Sequence, residues 1–236
     1  MTGNPLNATA AQIQFPDDAH GSESQASVLQ ASRPGGGIHE TSAPEDVSRA
    51  SVYTLLGALL RDVPDAALLK HLRSLTPAGG RDGFALAQEN LRLAAGQLGL
   101  DELDDEYHQL FIGIGRGELV PYGSWYLTGF LMERPLGVLR DDLKALGFER
   151  SPGVYEPEDH VAALCEVMSA LARDTELPAD LNLMRQRAFY RTHMADWIER
   201  FWHDLERAES ALFYRAVARL GSAFSALETR YLDKGA

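Results

Sequence analysis

From Asp46 onward the apolar residues of this chain recur every three or four positions, the spacing of helices with one buried face. No run of β-branched residues alternates strictly, as a half-buried strand would. The expected fold is therefore all-α, a single helical-bundle domain over 46–236. A first stripe is Val52, Leu55, Leu56, Leu59 and Leu60; Val63-Pro64 ends it, and Pro64 suits the first turn of a second helix bearing Leu68, Leu69, Leu72 and Leu75. A third helix is expected over 84–98, closed by Gly99 in the left-handed conformation. A fourth opens with the acids of 101–106 and continues to Phe111. Acids in a first turn complement the helix dipole, so this cluster reads as a solvated helix start. A helix over 136–146 and two long ones, 179–207 and 210–232, complete the bundle, with Trp197, Phe201, Leu205, Phe213, Val217, Leu220, Phe224 and Leu227 as core stripes.

The segment 1–45 differs in kind. It holds one aromatic residue, Phe15, the run Pro34-Gly35-Gly36-Gly37, one basic residue (Arg33) and five acids. So few large apolar groups cannot offset the entropy of ordering the chain, and a disordered tail is expected.

Twenty-two Lys and Arg against thirty-four Asp and Glu leave a formal charge of −12. Such a chain is a poor general partner for nucleic-acid phosphates or anionic lipid, and a basic ligand fits better. The single cysteine, Cys165, permits neither an intramolecular disulfide nor a Cys-x-x-Cys zinc site and suggests a reducing compartment. The first fifteen residues lack the charged and apolar regions of a secretory signal, and no apolar run is long enough for a membrane span. A soluble, cytoplasmic protein is expected.

Three regions invite a chemical reading. The stretch from Gly113 to Leu127 contains three glycines and a proline before Tyr122-Gly123-Ser124-Trp125-Tyr126, and reads as a long loop rich in aromatics. Its Gly-x-Gly-x-Gly lacks the strand and helix context of a dinucleotide fingerprint and the Lys-Ser/Thr of a P-loop. Tyr122, Trp125 and Tyr126 can form a contact surface or plug the loop onto the helices, and residue types alone do not choose between these. Glu156-Pro157-Glu158-Asp159-His160 has the composition of a helix start, with Val161, Leu164, Cys165, Met168, Leu171 and Ala172 on its core face. On that reading Asp159 and Glu166 share the opposite face and His160 sits at the rim, either capping locally or serving a ligand. Finally, His193 and Asp196 lie on one helix with His203, but His203 is about 15 Å further along, too far for one metal ion. Glu-x-x-His is absent, Asp105-x-x-His108 being its nearest approximation, and neither Gly-x-Ser-x-Gly nor His-Glu-x-x-His occurs. Cys165 lies on an apolar helix face, where a thiol is ordinarily inert. A binding protein is favoured over an enzyme.

Taken in order, Glu106-Tyr107-His108-Gln109-Leu110-Phe111, then Pro121-Tyr122-Gly123-Ser124-Trp125-Tyr126-Leu127, then Glu156-Pro157-Glu158-Asp159-His160 with Glu166 and Met168 resemble the TorD/DmsD family of cytoplasmic redox-enzyme maturation chaperones. The resemblance spans about 47–232 and leaves the first 45 residues outside. It implies a chaperone that binds the twin-arginine signal peptide or the apo form of a molybdenum-cofactor oxidoreductase, assists cofactor insertion and delays Tat export. By motif, Asp159 and His160 would belong to the peptide groove, with Tyr122, Ser124 and Tyr126 facing it. Bidentate bonds from arginine suit carboxylates, so Asp159 with Glu156 or Glu166 would receive the arginines, while Tyr122, Trp125 and Tyr126 border a groove for the apolar stretch. His160 would orient a carboxylate or bond to peptide backbone. The partner is then a molybdoenzyme catalytic-subunit precursor, with no nucleic acid and no membrane span, and the chaperone a monomer or domain-swapped homodimer. No metal or cofactor is expected; some family members are reported to bind GTP, for which this chain carries no motif. The alternatives are a helical metal-dependent enzyme and an adaptor that recognises a folded redox subunit.

Overall fold

A computed structural model describes residues 29–31, 43–76 and 82–233. Ten α-helices follow in order among them: α1 (Pro44–Arg61), α2 (Ala66–Ser74), α3 (Gly83–Gln97), α4 (Leu100–Tyr107), α5 (Gly123–Thr128), α6 (Arg134–Ala145), α7 (Val161–Arg173), α8 (Ala179–His193), α9 (Ile198–Arg207) and α10 (Phe213–Asp233). The all-α expectation therefore holds. One small sheet stands beside it: β1 (Leu29–Ala31) pairs antiparallel with β2 (Phe148–Arg150), Leu29 opposite Arg150. This strand lies inside the segment expected to be disordered. Backbone pairing and the burial of one side chain, Leu29, fix it without a rich apolar composition. The rest of that expectation, 1–28 and 32–42, lies outside the described residues.

The helix starts follow local chemistry. Pro44 occupies the first turn of α1 with Glu45 and Asp46 beside it. The Asp65 and Asp82 side chains accept the Leu68 and Ala85 N–H groups at 2.7 and 2.8 Å, capping α2 and α3. Asp65, not Pro64, thus opens α2. Gly99 likewise caps the start of α4 at φ −87° rather than ending α3 in the left-handed region. After Tyr107 the chain widens into a π-helical turn, His108–Ile112, and leaves it at Gly113, φ +59°. A Cβ there would stand 2.1 Å from the Arg116 carbonyl oxygen, so only glycine fits.

The core is built on α1 packed along α7 and on α10 packed against α3 and α9. Val52, Leu55, Leu56, Leu59 and Leu60 are buried together with Val161, Leu164, Cys165, Met168 and Leu171, as their spacing requires. Each fully buried side chain of this kind contributes ~1.5–3 kcal/mol. A paired polar cluster ties α1 to α10 inside this core. The buried Arg49 guanidinium donates to both Glu228 carboxylate oxygens and, at 2.6 Å, to Asp46, while Tyr53 Oη donates to Glu228 at 3.0 Å.

Two expectations about helices change. The expected long helix 179–207 breaks at 194–197, because Trp197 turns its indole back to donate to the His193 carbonyl at 2.7 Å, satisfying the end of α8. Glu106 is not part of a solvated helix start. It is buried and accepts the N–H groups of Leu212, Phe213 and Tyr214 at 2.8–3.0 Å, closing the start of α10.

Candidate functional site: a half-paired buried carboxylate in an apolar pocket

The aromatic stretch is not all loop. Pro121–Gly123 runs beside Asp159–Val161 in a short antiparallel bridge, with Gly123 N–H donating to the Asp159 carbonyl and Val161 N–H to the Pro121 carbonyl, both at 2.9 Å. Gly123 then begins α5, so Ser124, Trp125 and Tyr126 are helical. A Cβ on Gly123 would sit 3.2 Å from the Trp197 indole, and the missing side chain lets α5 lie against that ring. The other end of α5 is closed by Gly129 at φ +82°, and Met132 adopts φ +58°, unusual for a residue with a side chain.

The glutamate-rich motif also differs from its expected form. Helix α7 begins only at Val161, and His160 is its N-cap, its Nδ1 accepting the Ala162 N–H at 3.2 Å. Asp159 therefore precedes the helix and is turned inward, away from any face shared with Glu166. The preceding turn, not the 100° helical rotation, sets its direction. His160 is buried, and burial with the nearby Arg61 charge pulls its pKa down to about 3, so it is neutral at physiological pH. Its ring meets Tyr122 edge-on at 5.0 Å.

Asp159 is the decisive group. It is only 3% exposed. Its Oδ2 accepts the Ser124 N–H at 2.7 Å, capping α5 from outside, while its Oδ1 is buried with no hydrogen-bond partner. The carboxylate lines a pocket of about 160 Å³ with Gly123, Leu127, Pro135, Val138, Leu139, Thr192 and His193. The walls are apolar and come from α5 and α6; the polar groups come from the turn before α7 and from the end of α8. His193 Nε2 lies 2.7 Å from Asp142 Oδ2. Burial lowers the His193 pKa from its usual value, with the Asp142 bond opposing, so the ring is neutral at pH 7. Of the pocket residues Leu127 and Val138 are exposed, and so are Phe130, Leu131 and Met132 in the segment between α5 and α6, Phe130 by 68% and Met132 by 69%. Such a run of exposed large apolar groups makes this segment a candidate interaction surface.

None of the other site residues singled out from sequence lines this pocket. Tyr122 Oη donates to Glu156, and burial together with that carboxylate raises the Tyr122 pKa well above its usual value. Ser124 is fully buried, its Oγ accepting the Met132 N–H at 3.2 Å. Trp125 lies under the Arg116 guanidinium. Tyr126 stacks on Trp197 at 5.5 Å and donates to Asp204. Glu166 accepts Arg61 Nε at 2.6 Å where α1 meets α7, and is not among the residues lining the Asp159 pocket. Glu158, which the motif reading left without a role, is clamped by Arg140 and Arg150 at 2.9 Å each. Burial would raise its pKa, and the two guanidinium bonds outweigh that and hold it low.

His193, Thr192, Leu127, Pro135, Val138 and Leu139 are pocket residues that sequence reasoning did not assemble. His193 was visible only as a misplaced metal ligand. Its partner Asp142 is 51 residues away on another helix, and no local spacing signals that meeting. Among the described residues no three His, Cys, Asp or Glu side chains converge to hold a metal ion, and no helix is long and apolar enough to cross a membrane.

Known proteins resemble this chain in sequence and fold. The family model described as nitrate reductase delta subunit matches residues 79–203, more than half of the chain and all of the pocket. The chain belongs to the nitrate reductase delta subunit family. It is similar to proteins named chaperone protein TorD: that of Vibrio cholerae is 30% identical over 139 residues, 56% of this chain and 63% of the relative, and that of Vibrio atlanticus is 25% identical over 202 residues, 78% and 94%. The chain thus spans 63% of the length of the first of these relatives. The TorD resemblance read from the sequence is borne out. A crystal structure of a redox enzyme maturation protein from Archaeoglobus fulgidus superposes with a TM-score of 0.50 at 21% identity, covering 75% of this chain and 93% of that one, and shares its fold. In this chain the pocket falls between the helices, where bundles place ligands.

Proposed function

We propose that this protein is a maturation chaperone for a molybdenum-cofactor oxidoreductase, binding the twin-arginine signal segment of its catalytic subunit in the cytoplasm and holding it until the cofactor is inserted. The observation that carries the proposal is that Asp159, whose buried Oδ1 has no partner, lines an apolar pocket whose Leu127 is exposed, as are Phe130, Leu131 and Met132 just after it. A buried carboxylate oxygen without a donor is costly, and a ligand guanidinium supplies that donor. The apolar ledge offers the following hydrophobic stretch a surface in the helix-in-groove mode. Support also comes from relatives that are named chaperones and from a structural relative titled a redox enzyme maturation protein.

Isothermal titration of the full chain with a twin-arginine peptide tests the reading. Binding should be measurable and should weaken when Arg-Arg becomes Lys-Lys, because an ammonium cannot reproduce the planar fork. Equal affinity for the two peptides, or no binding, removes the signal-segment role. Co-purification with the tagged chain from anaerobically grown cells identifies the client.

A further inference from the structure

Resting on the reading above, we infer that the Asp159 pocket is a socket for a single cationic side chain, so that two adjacent arginines of a bound client segment are not equivalent: one is read by charge inside the socket and the other lies outside it.

Size comes first. A volume of about 160 Å³ is well below the ~300–1,000 Å³ of pockets that hold nucleotides or drug-sized ligands, and close to the ~150 Å³ cavity that accepts one benzene ring. The socket has room for one side chain. Its chemistry then selects which. Asp159 lines it, and its buried Oδ1 is an acceptor without a partner. Asp142 is a carboxylate and accepts, so neutral His193 carries its proton on Nε2, which makes Nδ1 an acceptor. Thr192 adds a hydroxyl, and no Lys or Arg lines the walls. Acceptors without a resident cation favour a guanidinium or ammonium; an anion is repelled, and an apolar group would leave the carboxylate unpaired. Leu127, Pro135, Val138 and Leu139 suit the aliphatic stem.

The second arginine finds no equivalent. Glu156 is engaged by Tyr122, Glu158 by Arg140 and Arg150, and Glu166 by Arg61. What remains nearby is Asp142, whose side chain is 50% exposed and already bonded to His193, and exposed Glu133 at the start of α6. Water screens a pair formed there.

Four fluorescent peptides of equal length, beginning Arg-Arg, Gln-Arg, Arg-Gln or Gln-Gln and continuing in the same Leu/Ala run, test this by anisotropy against the full chain. One single replacement should weaken binding about tenfold or more, nearly as much as the double replacement, and the other by less than about threefold. Asp159→Asn keeps an oxygen for Ser124 N–H but turns an amide NH₂ into the socket, and Val138→Trp fills it; both should erase the difference between Gln-Arg and Arg-Gln. Equal losses from the two single replacements, or an undiminished difference in both variants, overturn the inference. Agmatine, titrated by NMR into wild type and Asp159→Asn, separates the two proposals. If no peptide binds but agmatine shifts the wild-type resonances of Leu127, Val138 and His193 and not those of the variant, the socket stands and the signal-segment reading fails. If neither probe binds, both fall.

Discussion

Glu106 and Asp159 are buried carboxylates that close the start of a helix to which neither belongs, yet they are finished differently. Glu106 gives both oxygens to three backbone N–H groups of the α10 start. Asp159 gives one oxygen to α5 and leaves the other bare inside a pocket. The first is a completed structural joint. The second performs the same capping task with one oxygen and leaves the other without a partner. Burial alone does not distinguish the two acids; the count of donors around each does.

Isosteric amides probe the contrast directly. Glu106→Gln removes the charge and sets an NH₂ against backbone donors, and should lower the unfolding free energy in urea by ~3 kcal/mol, the scale of one or two charge-assisted bonds. A loss below ~1 kcal/mol would mean that Glu106 is no more committed than Asp159.

His160, beside Asp159, is a second completed cap and sharpens the comparison through pH. Its folded pKa of about 3 lies below the ordinary 6.5, so between these values the unfolded chain takes up a proton that the folded chain refuses. Stability from this source is complete above pH ~6.5 and is lost as pH falls toward 3, by ~1.4 kcal/mol per unit and about 2 kcal/mol at pH 5. His160→Asn retains a good cap and should remove that loss; unfolding curves at pH 7 and 5 that show the same pH dependence in both proteins would assign it to other groups.

Asp159→Asn should change stability by less than ~1 kcal/mol, because Oδ1 has no internal donor to lose. A drop as large as that of Glu106→Gln would erase the distinction between the two acids. The smallest effect is expected at Met132, whose left-handed backbone is strained for a side chain. Met132→Gly relieves that strain against glycine's greater ordering entropy and should raise the melting free energy by ~0.5 kcal/mol. A decrease would show that the exposed side chain is held by packing rather than displayed.

The contrast also explains what could be read beforehand. Stripes such as Val52 to Leu60 or Val161 to Leu171 are legible because a helix face is a local repeat. Asp159 was legible as a residue type but not as a geometry: its inward turn depends on the bridge between 121–123 and 159–161, which joins segments far apart in sequence. Glu106 was misread for the same reason, since its partners are more than 100 residues away. The break at Trp197 and the pairing of His193 with Asp142 are likewise tertiary, and a period of 3.6 carries no trace of them.

The bridge has a consequence for protein engineering. Chain length between Gly113 and Gly117 is decoupled from the pocket, because Glu118 and Leu119 are pinned to Gln109 and Leu110 and the bridge sets the register again at Tyr122. A reporter peptide spliced at exposed Ile114 would hang from a staple whose two legs are already fixed. One residue added between Pro121 and Gly123 would instead swing Ser124 off Asp159 and unlatch the pocket at its base.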